Sequence, residues 1–277
     1  QTVSLLSPDG TVFTITTLDI DTFTFYNVKI CINYSAQLGA SFMLLVMLLL
    51  LTKPDKRRSP VFFLNTTALG LNTIRSLLQC LYFTGPFSEV YSFFSGDVSR
   101  VPASQYAISV TGVVLTLLLL VCIEVSLILQ TNVVCSTLTD GYRRAVMVVS
   151  AIIALIAIGF RFGLMVENSK AIVNAELFYN FIWLSSAANI TTTISIFYFC
   201  IVFVGKLGVA LVARRKLGLR QFGPMQVIFI MGCQTLIIPA IFSILQYCTD
   251  IPEMASNVLT LVAIFLPLSS IWASSAT

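Results

Sequence analysis

Seven long apolar runs alternate with short polar stretches along this chain. They fall near residues 28–51, 59–83, 105–131, 145–166, 177–213, 224–247 and 256–274. A helix of about 20 apolar residues, rising 1.5 Å per residue, crosses a bilayer core. The fifth run is apolar to about residue 204 and continues amphipathically to 213. The pattern predicts an all-α membrane protein, a seven-transmembrane helix bundle over residues 28–274. Residues 1–27 form a polar N-terminal segment, and 275–277 read as the start of a truncated tail. Within the N-terminal segment, SPDG at Ser7–Gly10 is a turn signal. The following TVFTITTLDIDTFTF alternates apolar and polar residues, which predicts one or two short strands capping the bundle. A disordered tail is the alternative.

Composition agrees with a lipid-facing surface. The chain is 57% hydrophobic and 10% charged, against about 25% charged for a soluble domain. Charge also orients it. The connections at 52–58, 131–144 and 214–223, with Lys206, hold eleven basic residues against two acids, a net of +9. The opposite side holds Lys29, Arg100, Arg161 and Lys170 against nine acids, a net of −5. Lys/Arg bias places the first side in the cytoplasm, so the N-terminus is expected outside the plasma membrane and the C-terminus inside. The chain has no histidine, which removes His-based catalytic triads and zinc motifs. The cysteines lack metal spacing, and most read as small buried hydrophobes. No enzyme activity, cofactor, metal or nucleic-acid partner is expected. A transporter would need a charged relay at the midplane, which is polar and uncharged.

Polar residues inside the runs are candidate chemistry. Asn72, Asn189, Gln234 and Ser269, with Ser270 beside it, fall at similar depth, where Thr111, Thr116 and Ser185 can join them. They act either as helix–helix glue or as a switch. Pro239 and Pro267 permit kinks in the last two spans. Arg75 is the one basic residue placed deep in a span. It faces either a watery pocket or a buried partner such as Glu253 or Glu176. Asn72, Arg75 and Gln79 share a helix face. Glu124 lies at the depth of Asn65, either neutral and bonded to it or charged. The long connection Thr84–Tyr106 carries Phe87, Tyr91, Phe93 and Phe94, open to roles as lid, ligand wall or dimer contact.

Five stretches carry a resemblance: LGLRQFG (217–223), IMGCQTLIIPA (230–240), LPLSSIWA (266–273), IEVSL (123–127) and SPVFFLN (59–65). They resemble the fungal mating-pheromone receptors of the α-factor type, class D of the G-protein-coupled receptors. Two motifs of the rhodopsin-like class are missing: no acidic-Arg-Tyr triplet ends the third span, and LPLSS stands where Asn-Pro-x-x-Tyr would. The resemblance implies a receptor that binds a short secreted peptide pheromone on its outer face. It implies activation of a heterotrimeric G protein, starting the mating response, and a homodimer. The acidic outer side suits a peptide with a basic residue, and the basic inner side suits a G protein and anionic membrane lipid.

By position, the family's ligand-binding residues fall on Tyr34, Gln37, Arg75, Gln79, Asn180, Tyr247 and Asn257. Gln37 replaces a basic residue common in the family, and Asn257 an acidic one, so Arg75 is expected to supply the missing positive charge. The activation network would comprise Asn65, Asn72, Glu124, Asn189, Gln234, Pro239, Pro267, Ser269 and Ser270. The Gα C-terminal helix would meet Arg143, Arg144, Arg214, Arg215, Lys216, Leu219, Arg220, Gln221 and Phe222.

Overall fold

The computed structural model describes residues 1–7, 10–137, 139–174, 182–216, 237–248 and 253–275. Within these, the description covers the backbone alone at 55, 56, 137, 207, 210–216 and 269–275. Strands β1 (Thr2–Leu6) and β2 (Val12–Thr16) pair antiparallel, Thr2 opposite Thr16. The Ser7 carbonyl accepts from the Gly10 N–H at 2.9 Å, and Gly10 takes φ +77°, which glycine adopts without strain.

Helix α1 (Thr17–Leu51) follows β2 directly. The sequence pattern placed this start near residue 28 and read period-2 structure up to Phe25. A capping box overrides that alternation. The Thr16 side chain accepts from the Asp19 N–H at 3.2 Å, while the Asp19 carboxylate accepts from the Thr16 N–H at 3.1 Å. The Thr16→Ala variant should lose about 1 kcal/mol of local stability. Hydrogen exchange should show this as faster opening of the first turn of α1.

The buried residues of α1 are Ile30, Tyr34, Gln37, Ser41, Leu44 and Leu48. Their alternating spacing of four and three is one narrow stripe. Two of them are polar, while Phe42, Met43, Met47 and Leu50 on other faces are exposed. Polar inside and apolar outside is the arrangement lipid demands. Helix α2 (Pro60–Phe83) repeats it, burying Asn65, Asn72, Arg75 and Ser76 along with Ala68 and Leu69. Ser59 caps it through the Phe62 N–H at 3.2 Å, with Pro60 in the first turn.

The connection to the next long helix is ordered. It holds a 3-10 turn at Pro86–Ser88 and a short helix α3 (Val90–Ser95), ended by Gly96 in the left-handed region at φ +68°. Phe93 stacks on Phe23 of α1, with centroids 4.3 Å apart, and the Tyr91 hydroxyl donates to the Leu6 carbonyl at 3.1 Å. Asp97 accepts from Ser99, whose hydroxyl and backbone N–H hold its carboxyl below the usual range.

Four more helices follow: α4 (Ala103–Val134), α5 (Asp140–Asn174), α6 (Ile182–Lys216) and α8 (Met254–Ser275). Between the last two, residues 237–245 are helical and are denoted α7. Among the described residues, α1, α4, α5 and α6 are long and apolar enough to cross a membrane. Helix α4 is central, touching α2, α5, α6 and α8, and α8 closes the bundle against α1 and α2. The main core lies among α4, α6 and α8, around Leu119, Leu120, Ile123, Leu127, Ile196, Phe199, Leu259 and Val262.

Candidate functional site

At the hairpin end of the bundle, the helices part around a cavity of about 500 Å³. Its wall includes Tyr34 from α1, Arg75 and Gln79 from α2, Thr116 from α4 and Arg161 and Asn168 from α5. Ser185 and Asn189 come from α6, Gln246 and Tyr247 follow α7, and Glu253 to Ser256 begin α8. A second cavity of about 390 Å³ adjoins it, sharing Gln79, Val113, Asn168 and Glu253. Tyr82, Phe83 and Phe87 line that second space.

Arg75, 2% exposed, is placed by four acceptors. Its Nη2 lies 3.1 Å from Gln37 Oε1, 3.0 Å from Asn72 Oδ1, 3.0 Å from Ser256 Oγ and 3.4 Å from Thr260 Oγ1. Gln37 Oε1 is the hub. It also accepts from the hydroxyls of Ser256 at 3.0 Å and Thr260 at 2.6 Å, while Gln37 Nε2 donates to Asn257 at 2.8 Å. Asn72 adds a donation to Ser41 at 2.6 Å. One polar cluster therefore joins α1, α2 and α8 under the cavity. The Arg75 guanidinium lies 5.9 Å from the Tyr34 ring centroid, and the Tyr34 hydroxyl donates to Glu253 at 2.8 Å. Glu253 takes φ +61°, uncommon outside glycine.

Of the residues expected to bind a ligand, Tyr34, Arg75, Gln79 and Tyr247 line the cavity. Gln37 and Asn257 bond to each other in the cluster behind it. Asn180 lies outside the described residues. Of the two alternatives left open for Glu124, the pairing with Asn65 does not form. Glu124 accepts from Ser195 of α6 at 2.8 Å, whereas Asn65 accepts from Ser126 at 2.9 Å. Positions 124 and 126 point roughly 200° apart around one helix, so equal depth does not bring Glu124 to α2. Nor do Asn72 and Asn189 join in one layer. Asn189 instead accepts from Arg161 at 3.4 Å. The pattern reading also set Arg161 on the outer side of the membrane and held Arg75 to be the one deep basic residue; Arg161 lies within α5, on the cavity wall.

Pro267 lies inside α8, and Pro239, in α7, is buried. Gln234 is outside the described residues, as are the side chains of Ser269 and Ser270. At the opposite end, Arg143 donates to Asn132 at 2.7 and 3.1 Å, and Arg144 is exposed. Arg214, Arg215 and Lys216 end α6, without described side chains; Leu219, Arg220, Gln221 and Phe222 lie outside the described residues.

Glu124 is fully buried, and among the described residues its Oε1 has no partner. A buried carboxyl with one hydrogen bond costs more than an apolar side chain of similar size. Because Glu124→Met alone would strand the buried Ser195 hydroxyl, the double variant Glu124→Met, Ser195→Ala is the one expected to be more stable, by about 1–3 kcal/mol, read as a raised melting temperature in detergent.

A family described as "Fungal pheromone mating factor STE2 GPCR" matches residues 1–274. The chain belongs to this receptor family. Its described relatives are distant. It is 29% identical over 285 residues to the "Pheromone alpha factor receptor" of Lachancea kluyveri, covering 99% of this chain and 65% of that one. It is 28% identical over 289 residues to the receptor of the same name from Saccharomyces cerevisiae, covering 100% and 64%. With the "Pheromone P-factor receptor" of Schizosaccharomyces pombe it shares 27% over 247 residues, covering 87% and 71%. The chain thus spans about two thirds of the length of the two alpha factor receptors.

Arg161 escaped the sequence reading because the apolar run around it stops near residue 166, whereas α5 continues to Asn174. A signal was available. The buried residues Ser150, Ala154, Ala157, Leu164 and Ala171 step by fours and threes. Positions 161 and 168 complete that series on the inward stripe, and both line the receptor's cavity.

Proposed function

We propose that this chain is a plasma-membrane receptor for a peptide pheromone of the α-factor type, coupled to a heterotrimeric G protein. The supporting observation is the polar cavity at the hairpin end, whose wall is shared by every described long helix and backed by the Arg75 cluster. Such a site suits a flexible polar peptide, which offers many donors and acceptors to Tyr34, Gln79, Asn189 and Tyr247. The hairpin end faces outward and the C-terminus inward, as the Lys/Arg bias requires.

A ligand can shift the helices only by binding one arrangement better than the other. Contact with Arg75 competes for the guanidinium that ties α2 to α1 and α8. Loosening that tie lets α8 move about Pro267 and α7 about Pro239. With Asn65, Asn72, Glu124, Asn189, Gln234, Ser269 and Ser270 rearranging, the basic end opens. Arg143, Arg144 and the stretch from Arg214 through Phe222 then meet the Gα C-terminal helix. The working receptor is a homodimer in this reading.

Guanine-nucleotide exchange on a fungal heterotrimeric G protein, in membranes carrying the receptor, tests the proposal. Exchange that rises with α-factor-type peptides supports it. Correctly folded receptor that binds no short peptide and drives no exchange sinks it.

A further inference from the structure

Arg161 has no assigned task, and its surroundings are unusual. It sits in the middle of α5, on the inward stripe, among Leu164, Met165 and Asn189 on the cavity wall. Among the described residues its single hydrogen bond is the 3.4 Å donation to Asn189, and its buried Nε has no partner there. Among the described residues it makes no ion pair. Buried guanidinium groups are ordinarily paired, because an isolated charge in a membrane bundle is costly.

Arg75 shares both features. It lines the same cavity, and among the described residues its Nε has no partner and its acceptors are all neutral. The one described acid on the wall is Glu253, which already accepts from Tyr34 at 2.8 Å. Among the described residues, two arginines against one glutamate leave the wall with a positive charge in excess. Two like charges facing one low-dielectric space repel each other, and an anion between them relieves both.

We propose that Arg161 is a specificity residue, which together with Arg75 holds a carboxylate of the bound peptide. The inference rests on the receptor reading above and names the chemistry its ligand must carry. That carboxylate is either the peptide's C-terminus or an Asp or Glu side chain. Arginine's planar fork suits it, since one guanidinium can grip two carboxylate oxygens. The acidic side of the protein attracts a cationic portion of the peptide, while the cavity takes the anionic portion. The ligand is therefore aligned as a dipole before it is held.

Two synthetic libraries of short peptides test this. They are identical except that one ends in a free carboxylate and the other in a carboxamide. Each is subjected to affinity selection on the full purified chain, and retained peptides are resynthesised with the terminus or each acidic side chain neutralised in turn. On the wild-type receptor, one such neutralisation should weaken binding roughly 30-fold. Loss on amidation identifies the terminus, and loss on Asp→Asn or Glu→Gln identifies the side chain. On Arg161→Gln the acid form should already bind weakly, and neutralising it should change little. Arg161→Lys should retain part of the preference for the acid.

The proposal is overturned if neutralising every carboxylate leaves wild-type affinity unchanged, or if the penalty is as large on Arg161→Gln as on wild type. The first comparison needs no variant, so a misfolded Arg161→Gln does not blunt it. Peptides that bind and stimulate nucleotide exchange without any carboxylate overturn this inference alone. A selection that retains no peptide on folded wild type overturns the receptor reading as well.

Discussion

Replacing Gln37 with leucine is expected to lower folding stability by about 3 kcal/mol, although leucine is the more lipid-compatible side chain. Gln37 Oε1 accepts from Arg75, Ser256 and Thr260, and its amide nitrogen donates to Asn257. Leucine removes both at once. Ser256 and Asn257 then lose a partner each in a space 4% exposed at Gln37. Each stranded buried group costs about 1–3 kcal/mol. Thr260 is spared in part, because Asn72 offers a second acceptor at 3.2 Å. The measurement is thermal unfolding in detergent, with Gln37→Glu as a second variant that keeps the acceptor. An unchanged melting temperature for Gln37→Leu would show that the cluster does not hold α1 to α8.

Replacing Arg75 with methionine should do the opposite. Stability should stay within about 1 kcal/mol, because the change removes a buried charge and strands no acceptor. Gln37 Oε1 keeps the Ser256 hydroxyl, which frees the single Thr260 proton to turn to Asn72 Oδ1. Peptide affinity, in contrast, should fall about 100-fold, in the range seen when one partner of a buried charge pair is truncated. The pair of variants separates two roles within one cluster: Gln37 carries structure, and Arg75 carries recognition. Saturation binding and melting on the same preparations read both. An Arg75→Met receptor that melts far lower but binds the peptide normally would reverse the assignment.

The sequence pattern located most helices because lipid exposure writes long apolar runs into a chain. The family resemblance, and not the hydropathy pattern, grouped Tyr34, Arg75, Gln79 and Tyr247 as ligand-binding positions, and the structure brings those four to one cavity. What the pattern missed was azimuth. Glu124 and Asn65 match in depth yet face different neighbours, because helical rotation separates 124 from 126. Arg161 was counted with the outer side because it lies near the end of the 145–166 run, although α5 continues to Asn174. The start of α1 was hidden by threonine-rich alternation, since a capping box decides the matter through two side chains and not through periodicity.

The lack of any spacer between β2 and α1 has a mechanical consequence. Thr16 is the last residue of the strand and also the cap of the helix. The hairpin is therefore a rigid pointer on a helical shaft of about 50 Å, and Tyr91 fastens its far edge to α3. A small tilt of α1 at mid-membrane emerges as a swing of the hairpin tip that strains the α3 anchor. A spin label on exposed Val12 would read that swing directly. Inserting two glycines after Thr16 would disconnect the pointer from the shaft, leaving the cavity unaltered while silencing the label's response to ligand.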